Sequence, residues 1–176
     1  MGDFVEKKSD DVLVAACLRG ETEAYAELGK GYARRLYAIC LAIVDNAADA
    51  EDLTQETLVK GFMELASLRD NAKFGPWIAA IATNVSRDLL RKRASERGPA
   101  VVETDCPPAE TERLMDLRRA LSELPEQHRI PLLLYYLDGH STESVAATLG
   151  ISTAAVHQRL SRARRELRGL IESKEV

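Results

Sequence analysis

Aromatic side chains make up only 5% of this chain, too few for the cross-strand aromatic pairing that an all-β sandwich or barrel relies on. Long apolar runs are missing as well. Stretches such as Leu132 to Leu137 fall far short of the roughly 20 residues that span a bilayer. The three cysteines, Cys17, Cys40 and Cys106, lie far apart with no Cys-x-x-Cys pair. They read as reduced thiols rather than a disulfide framework or zinc site, the first two buried. Nor does the start resemble a secretory leader: Met1 to Asp11 carries four acids and two lysines before any apolar run, so a cytoplasmic location is expected. What is present is 45% hydrophobic and 30% charged residues over 176 positions. That suits one ordinary domain or two small ones, rich in helix.

A net charge of −4 looks wrong for a protein that meets nucleic acid until it is divided along the chain. Residues 84–97 carry +3 and residues 156–168 carry +4, which leaves −11 on the remainder. Two short basic stretches stand in an acidic background, and local clusters rather than net charge set phosphate affinity.

Residues 95–112, SERGPAVVETDCPPAETE, hold three of the six prolines and no apolar periodicity. They read as a flexible, acidic linker between an N-terminal module, 1–94, and a C-terminal module, 113–176. In the first module a helix capped by Asp10 or Asp11 is expected to end at Gly20. A second, from about Thr22, carries Tyr25, Leu28, Tyr32, Leu36, Ile39 and Ile43 at spacings of three and four, one apolar stripe. Asp45-Asn46 breaks it. A third, from about Ala48 to Leu68, is expected to bury Leu53, Leu58, Phe62 and Leu65. Arg69 to Pro76 has turn chemistry, and a fourth helix opens near Pro76-Trp77, burying Ile78, Ile81, Val85 and Leu89. The second module starts with Leu114, Leu117, Leu121 and Leu124, continues in a helix from Pro125 that Pro131 should kink or whose regular start it should delay, and ends in two helices separated at Gly150. No segment reads as a strand, so the fold expected is all-α.

Thr142 to Ser161 is the most informative stretch. Two helices crossing closely need a small residue at the contact, supplied by Ala146, and a short turn with positive φ, supplied by Gly150. Ser152 can cap the second helix, and Val145, Leu149 and Ile151 fill the angle. This is a helix-turn-helix pattern. On its second helix Val156, Leu160, Ala163 and Leu167 fall on one side at 100° per residue. His157, Gln158, Ser161, Arg162, Arg165 and Arg168 share the other. Early outward positions of such a helix reach base edges in the major groove and later cations meet phosphates. His157, Gln158 and Ser161 are therefore expected toward bases, Arg162 in either role, and Arg159, Arg165 and Arg168 toward the backbone.

Two further clusters are ambiguous alone. Asp45, Asp49, Glu51, Asp52 and Glu56 form an acidic run without a base, which a helix N-terminus favours anyway. Asn84, Arg87 and Arg91 share one sector of the fourth helix, opposite its apolar stripe. Their order is what makes them informative. AEDLTQETLVKGF, then FGPWIAAIATNVSRDLLR, then a linker, then ALSELPEQHRIPLLLYYLDGHSTESVAATLGISTAAVHQRLSRARREL resembles the extracytoplasmic-function group of bacterial RNA polymerase sigma factors, over about 150 residues of both modules.

The resemblance implies sigma region two in the first module and region four in the second. It implies a factor that binds core RNA polymerase, at its clamp helices and flap, and directs initiation at specific promoters. Asp49, Glu51, Asp52, Gln55 and Glu56 match the segment that docks on the clamp helices. Arg69, Asp70, Asn71, Lys73 and Phe74 match the loop that receives a flipped base of the −10 element. Asn84, Arg87, Asp88 and Arg91 match the helix that holds that element melted, and His157, Gln158, Ser161, Arg162 and Arg165 match the −35 reading face. An anti-sigma protein is an implied partner. His157 stands where the family often has Lys or Arg, and the loop reads Leu68-Arg69-Asp70-Asn71 in place of the common Phe-Arg-Gly-Asp.

An ordinary helix-turn-helix regulator would need a buried polar effector site or a self-complementary face, and would leave the basic fourth helix idle. An enzyme is disfavoured, because His128, His140 and His157 are scattered and no HExxH, phosphate-binding loop or GxSxG occurs. These histidines are expected at the surface or at helix ends. No cofactor or metal site is expected.

Overall fold

A computed structural model of the chain describes residues 8–97, 112–137 and 141–172. Among them are eight α-helices and no strand: α1 (Asp10–Leu18), α2 (Thr22–Val44), α3 (Ala47–Glu64), α4 (Phe74–Arg97), α5 (Glu112–Glu123), α6 (Glu126–Leu137), α7 (Thr142–Leu149) and α8 (Thr153–Glu172). Cys106, His140 and most of the expected linker lie outside the described residues. No described helix is long and apolar enough to cross a membrane.

The helix boundaries have local causes. Asp45 adopts the left-handed conformation at φ 52° and returns its N–H to the Leu41 carbonyl, ending α2; a short polar side chain tolerates this region better than most. Asn46 then accepts from the Asp49 N–H at 3.0 Å and starts α3, so Asp45-Asn46 is a stop and a start in two residues. Three details differ from the sequence expectation. Ser9, not Asp10 or Asp11, holds the N-cap position of α1. α4 begins at Phe74, because a 3₁₀ turn at Asn71–Lys73 leads straight into it, and Pro76 still falls within the first turn, where its missing N–H is harmless. At its other end α4 runs to Arg97, past the boundary at 94. α6 starts at Glu126 and holds Pro131 inside it, so Pro131 does not delay its start.

Within the first module α2 packs on α1, α3 and α4. Leu28, Leu36, Ile39, Phe74, Ile78 and Val85 are buried as a shared core. Phe62 is not part of it: it is 47% exposed and meets Tyr25 edge-on, at 5.0 Å between ring centroids. The reason is a glycine. Gly61 is where α3 comes closest to Ile78, and a Cβ there would overlap the Ile78 side chain and lie 2.8 Å from Tyr25 Oη. The Tyr25 hydroxyl donates to the Leu58 carbonyl at 2.6 Å, and burial pushes its pKa up to about 12. Gly61→Ala is therefore expected to destabilise the protein. Overpacking costs about 1–3 kcal/mol, against about 1 kcal/mol gained in helix propensity. Denaturant unfolding should show a lower midpoint, and an unchanged or raised midpoint would refute the close approach.

In the second module α8 packs on α5, α6 and α7. His128 stands in the first turn of α6, at a helix end, but is buried, and its Nδ1 lies 2.9 Å from Glu166 Oε2, tying α6 to α8. The two modules also touch. α2 packs against α6 and α4 against α7, and the buried apolar side chains of both form one continuous cluster. Gly75 lies at this seam: a Cβ there would be in ordinary van der Waals contact with the Ala147 carbonyl, at 3.6 Å, and tight only against Tyr32 Oη of its own module, at 2.9 Å.

Candidate nucleic-acid interface

The helix-turn-helix is built as its residues require. The Ser141 hydroxyl accepts from the Ser144 N–H at 3.3 Å and caps α7. Gly150, at φ +64°, ends α7 in the left-handed conformation, where a side chain would be strained. The Ser152 hydroxyl accepts from the Ala155 N–H at 3.2 Å at the start of α8. Val145 and Ala146 on α7 are buried with Val156, Leu160 and Ala163 on α8. That seam fixes the rotation of α8, and His157, Gln158, Ser161, Arg162, Arg165 and Arg168 stand exposed on the opposite side. An exposed row of a histidine, an amide, a hydroxyl and three guanidinium groups can donate to base edges and phosphates alike.

On α4, Asn84, Arg87, Asp88 and Arg91 are exposed, while Ile78, Ile81, Val85 and Ser86 face the core. Three of the four are engaged. Arg91 pairs with Asp88 on its own helix. The Arg87 guanidinium donates to Glu126 of the second module at 2.7 Å, a contact between residues 39 apart that no local pattern could announce. Beside α4, Asp70 accepts from the Ala72 N–H at 3.1 Å and pairs with Lys73 at 3.5 Å. Arg69, Ala72 and Lys73 are exposed and Asn71 half-buried. An open cavity of about 580 Å³ lies between this loop and Asp11, Val12 and Ala15 of α1. Phe74 is a correction. It is fully buried, edge-on to Tyr32 at 5.2 Å and tilted to Trp77 at 5.9 Å, so it floors the loop and presents no face to a base.

The acidic face of α3 is partly committed. Glu51, Asp52, Gln55 and Glu56 are exposed. Asp49 instead accepts from Nη1 and Nη2 of Arg93, at 2.5 and 2.7 Å, a forked pair that raises the arginine's pKa. It ties α3 to α4 rather than standing free for a partner. Sequence reading missed two apolar surfaces. Val59 and Met63 are exposed beside Phe62 one turn beyond Glu56, a patch disguised as core periodicity. The second is a groove of about 630 Å³ between α5, α6 and α8, lined by Leu117, Leu121, Leu133, Tyr136, Leu167 and Ile171. At its rim Arg164 lies over the Tyr135 and Tyr136 rings and donates to the Tyr136 hydroxyl at 3.2 Å.

Two sequence families coincide with the two modules. Sigma-70 region 2 matches residues 29–96 and Sigma-70 region 4 matches residues 114–167. The RNA polymerase sigma factor CarQ of Myxococcus xanthus is 31% identical over 162 residues, which cover 86% of this chain and 91% of CarQ. The chain belongs to the RNA polymerase sigma factors of the extracytoplasmic-function group. A probable RNA polymerase sigma factor, RfaY of Xanthomonas campestris pv. campestris, is 36% identical over 85% of this chain, though the chain spans only 40% of that relative's length. Among solved structures, CnrH in complex with the cytosolic domain of CnrY superposes with a TM-score of 0.67 at 26% identity. It covers 94% of this sigma factor and 99% of CnrH. The likeness therefore runs through both modules.

Proposed function

We propose that this sigma factor is a two-handed promoter reader that works in the cytoplasm on core RNA polymerase and carries no catalytic chemistry of its own. One observation supports this above the rest: two exposed basic faces stand on two different helices, each turned outward by a buried seam. The α8 face, His157, Gln158, Ser161, Arg162 and Arg165, suits the major groove of an intact −35 duplex. The α4 face, Asn84, Arg87, Asp88 and Arg91, with Arg69, Asp70, Asn71 and Lys73 beside it, suits a −10 strand pulled out of the helix. Unpairing a step costs a few kcal/mol, so a surface that holds the extruded strand lowers the cost of melting at chosen sequences.

Glu51, Asp52, Gln55 and Glu56 suit basic clamp helices, and the groove between α5, α6 and α8 suits an apolar element such as the flap. CnrH forms a complex with the cytosolic domain of CnrY, and an anti-sigma partner fits faces as exposed as these.

The test is run-off transcription with core polymerase over a randomised promoter library. Selective initiation is expected, and Gln158→Ala should relax preference at one or two upstream positions while leaving the −10 preference alone. Unchanged upstream preference would remove Gln158 from the reading face. Asp52→Lys with Glu56→Lys should weaken core capture on the order of tenfold, read by pull-down with purified core. Equal capture by the variant would place the docking surface elsewhere.

A further inference from the structure

The outward side of α8 carries one group whose charge changes near neutral pH. His157 stands exposed in the second turn of α8, held outward by the burial of Val156 and Leu160. Of the three histidines in the chain, it alone sits on this face among the described residues, since His128 is buried against Glu166.

The neighbour of His157 on α7 is a carboxylate. Glu143, in the first turn of α7, is exposed, and its Oε1 accepts from the Thr142 hydroxyl at 3.3 Å. Its own backbone N–H first, then the Ser141 and Thr142 hydroxyls and the His157 ring, hold its carboxyl below the usual carboxylate range. Glu143 is therefore ionised wherever an imidazole titrates. Other charged groups belong elsewhere. Arg159 lines a cleft with Gln127 and Leu149, and Arg162 is more than a turn further along α8. α6 meets α8 at Glu166, which His128 engages, and α5 meets it around Leu167 and Ile171.

A lone carboxylate at this place is unfavourable on DNA. The first helix of a helix-turn-helix crosses the phosphate backbone, and a negative charge in its first turn repels phosphate unless a cation neutralises it.

We propose that His157 reads the −35 duplex as an imidazolium, one ring N–H turned to a guanine and the other to Glu143, so that upstream recognition takes up a proton. The claim rests on the reading of α8 as the −35 face. His157 is then a specificity-determining residue and Glu143 its positioning residue. A neutral imidazole has one donor and one acceptor, and only the protonated ring has two donors. Guanine offers two acceptors in the major groove, N7 and O6, whereas cytosine offers a donor and adenine one of each. A neutral ring that donated to the base would turn its lone pair on the carboxylate. The bound chain thus holds one proton more than the free chain. Binding strengthens as pH falls through the imidazole range and weakens as pH rises, by at most about tenfold per pH unit for a single proton.

The experiment uses holoenzyme and a duplex that carries the −35 element of the strongest promoter from the library and stops short of the −10 element. Preference over a scrambled duplex is measured at about pH 6 and about pH 8, which cancels general effects of pH on polymerase. Wild type should gain about three- to tenfold in preference at the acid end, part of what a hydrogen bond to a charged group is worth. His157→Gln should show a flat profile. His157→Lys, charged throughout, should also be flat, at the higher level. Glu143→Gln should shrink the wild-type gain. One guanine of the element should matter more to wild type at acid pH and equally at both pH values to His157→Gln. Both residues are exposed, so the buried seam of the helix-turn-helix is untouched.

The same pH profile for wild type and His157→Gln would overturn the proposal, and an unaltered profile in Glu143→Gln would overturn the pairing. If wild type preferred the element to the scrambled duplex at neither pH, the reading of α8 would fall instead.

Discussion

Replacing Phe74 with alanine should cost about 3–5 kcal/mol of stability in the absence of any DNA. Its ring is fully buried where the loop turns into α4, edge-on to Tyr32 and close to Trp77. Truncation leaves a cavity that cannot refill, because Tyr32 is fixed at its far end by a hydrogen bond to Asp10 of α1. Against a total of about 5–15 kcal/mol for a domain, such a loss is a large fraction. At roughly 2–4 °C per kcal/mol for a chain of this size, the melting temperature should fall by about 6 °C or more. Phe74→Leu, which keeps much of the volume, should lose clearly less. If Phe74→Ala instead melted like wild type and lost only promoter opening, the ring would be a base-stacking surface after all and its buried placement would be wrong.

Arg87→Ala combined with Arg91→Ala should reduce open-complex formation on the order of a hundredfold or more. Hydrogen bonds to charged groups are worth about 1.5–3 kcal/mol each, so two lost phosphate contacts amount to about 3–6 kcal/mol. Neither residue lies in a core that its removal would collapse, since both are exposed. Core binding should therefore survive, and so should binding of the upstream duplex. Permanganate footprinting of the melted region, beside a pull-down with core, separates the effects. Equal loss of both activities would mean that the arginines support docking rather than the strand. The two partners also differ: Arg91 gives up Asp88 on its own helix, whereas Arg87 gives up a residue of the other module.

The helix-turn-helix was legible because its constraints are local. A small residue at a crossing, a glycine at positive φ and a hydroxyl at a helix start each leave a mark at fixed spacing, and Ala146, Gly150 and Ser152 carry those marks. The buried side of α8 was equally readable from a 3.6-residue period. Periodicity failed where one residue could satisfy it without being buried, as at Phe62, which continues an apolar stripe after α3 has already reached its contact at Gly61. It failed again at Phe74, where loop composition hid a core anchor. Pairings such as Asp49 with Arg93, Arg87 with Glu126 and His128 with Glu166 bridge 38 to 44 positions. Spacing along a chain says nothing about charges that meet only after folding. The contact between the modules belongs to the same class, because it depends on shapes that exist only once each module has formed.

Trp77 is the single tryptophan of the chain. It stands half-buried in the first turn of α4, 5.9 Å from the Phe74 ring and next in sequence to the Pro76 that abuts Gly150. Its emission is therefore a built-in optical gauge of that junction, undiluted by any other indole. A red shift as denaturant is raised on the chain alone would report wetting at this one corner, in real time and without a dye.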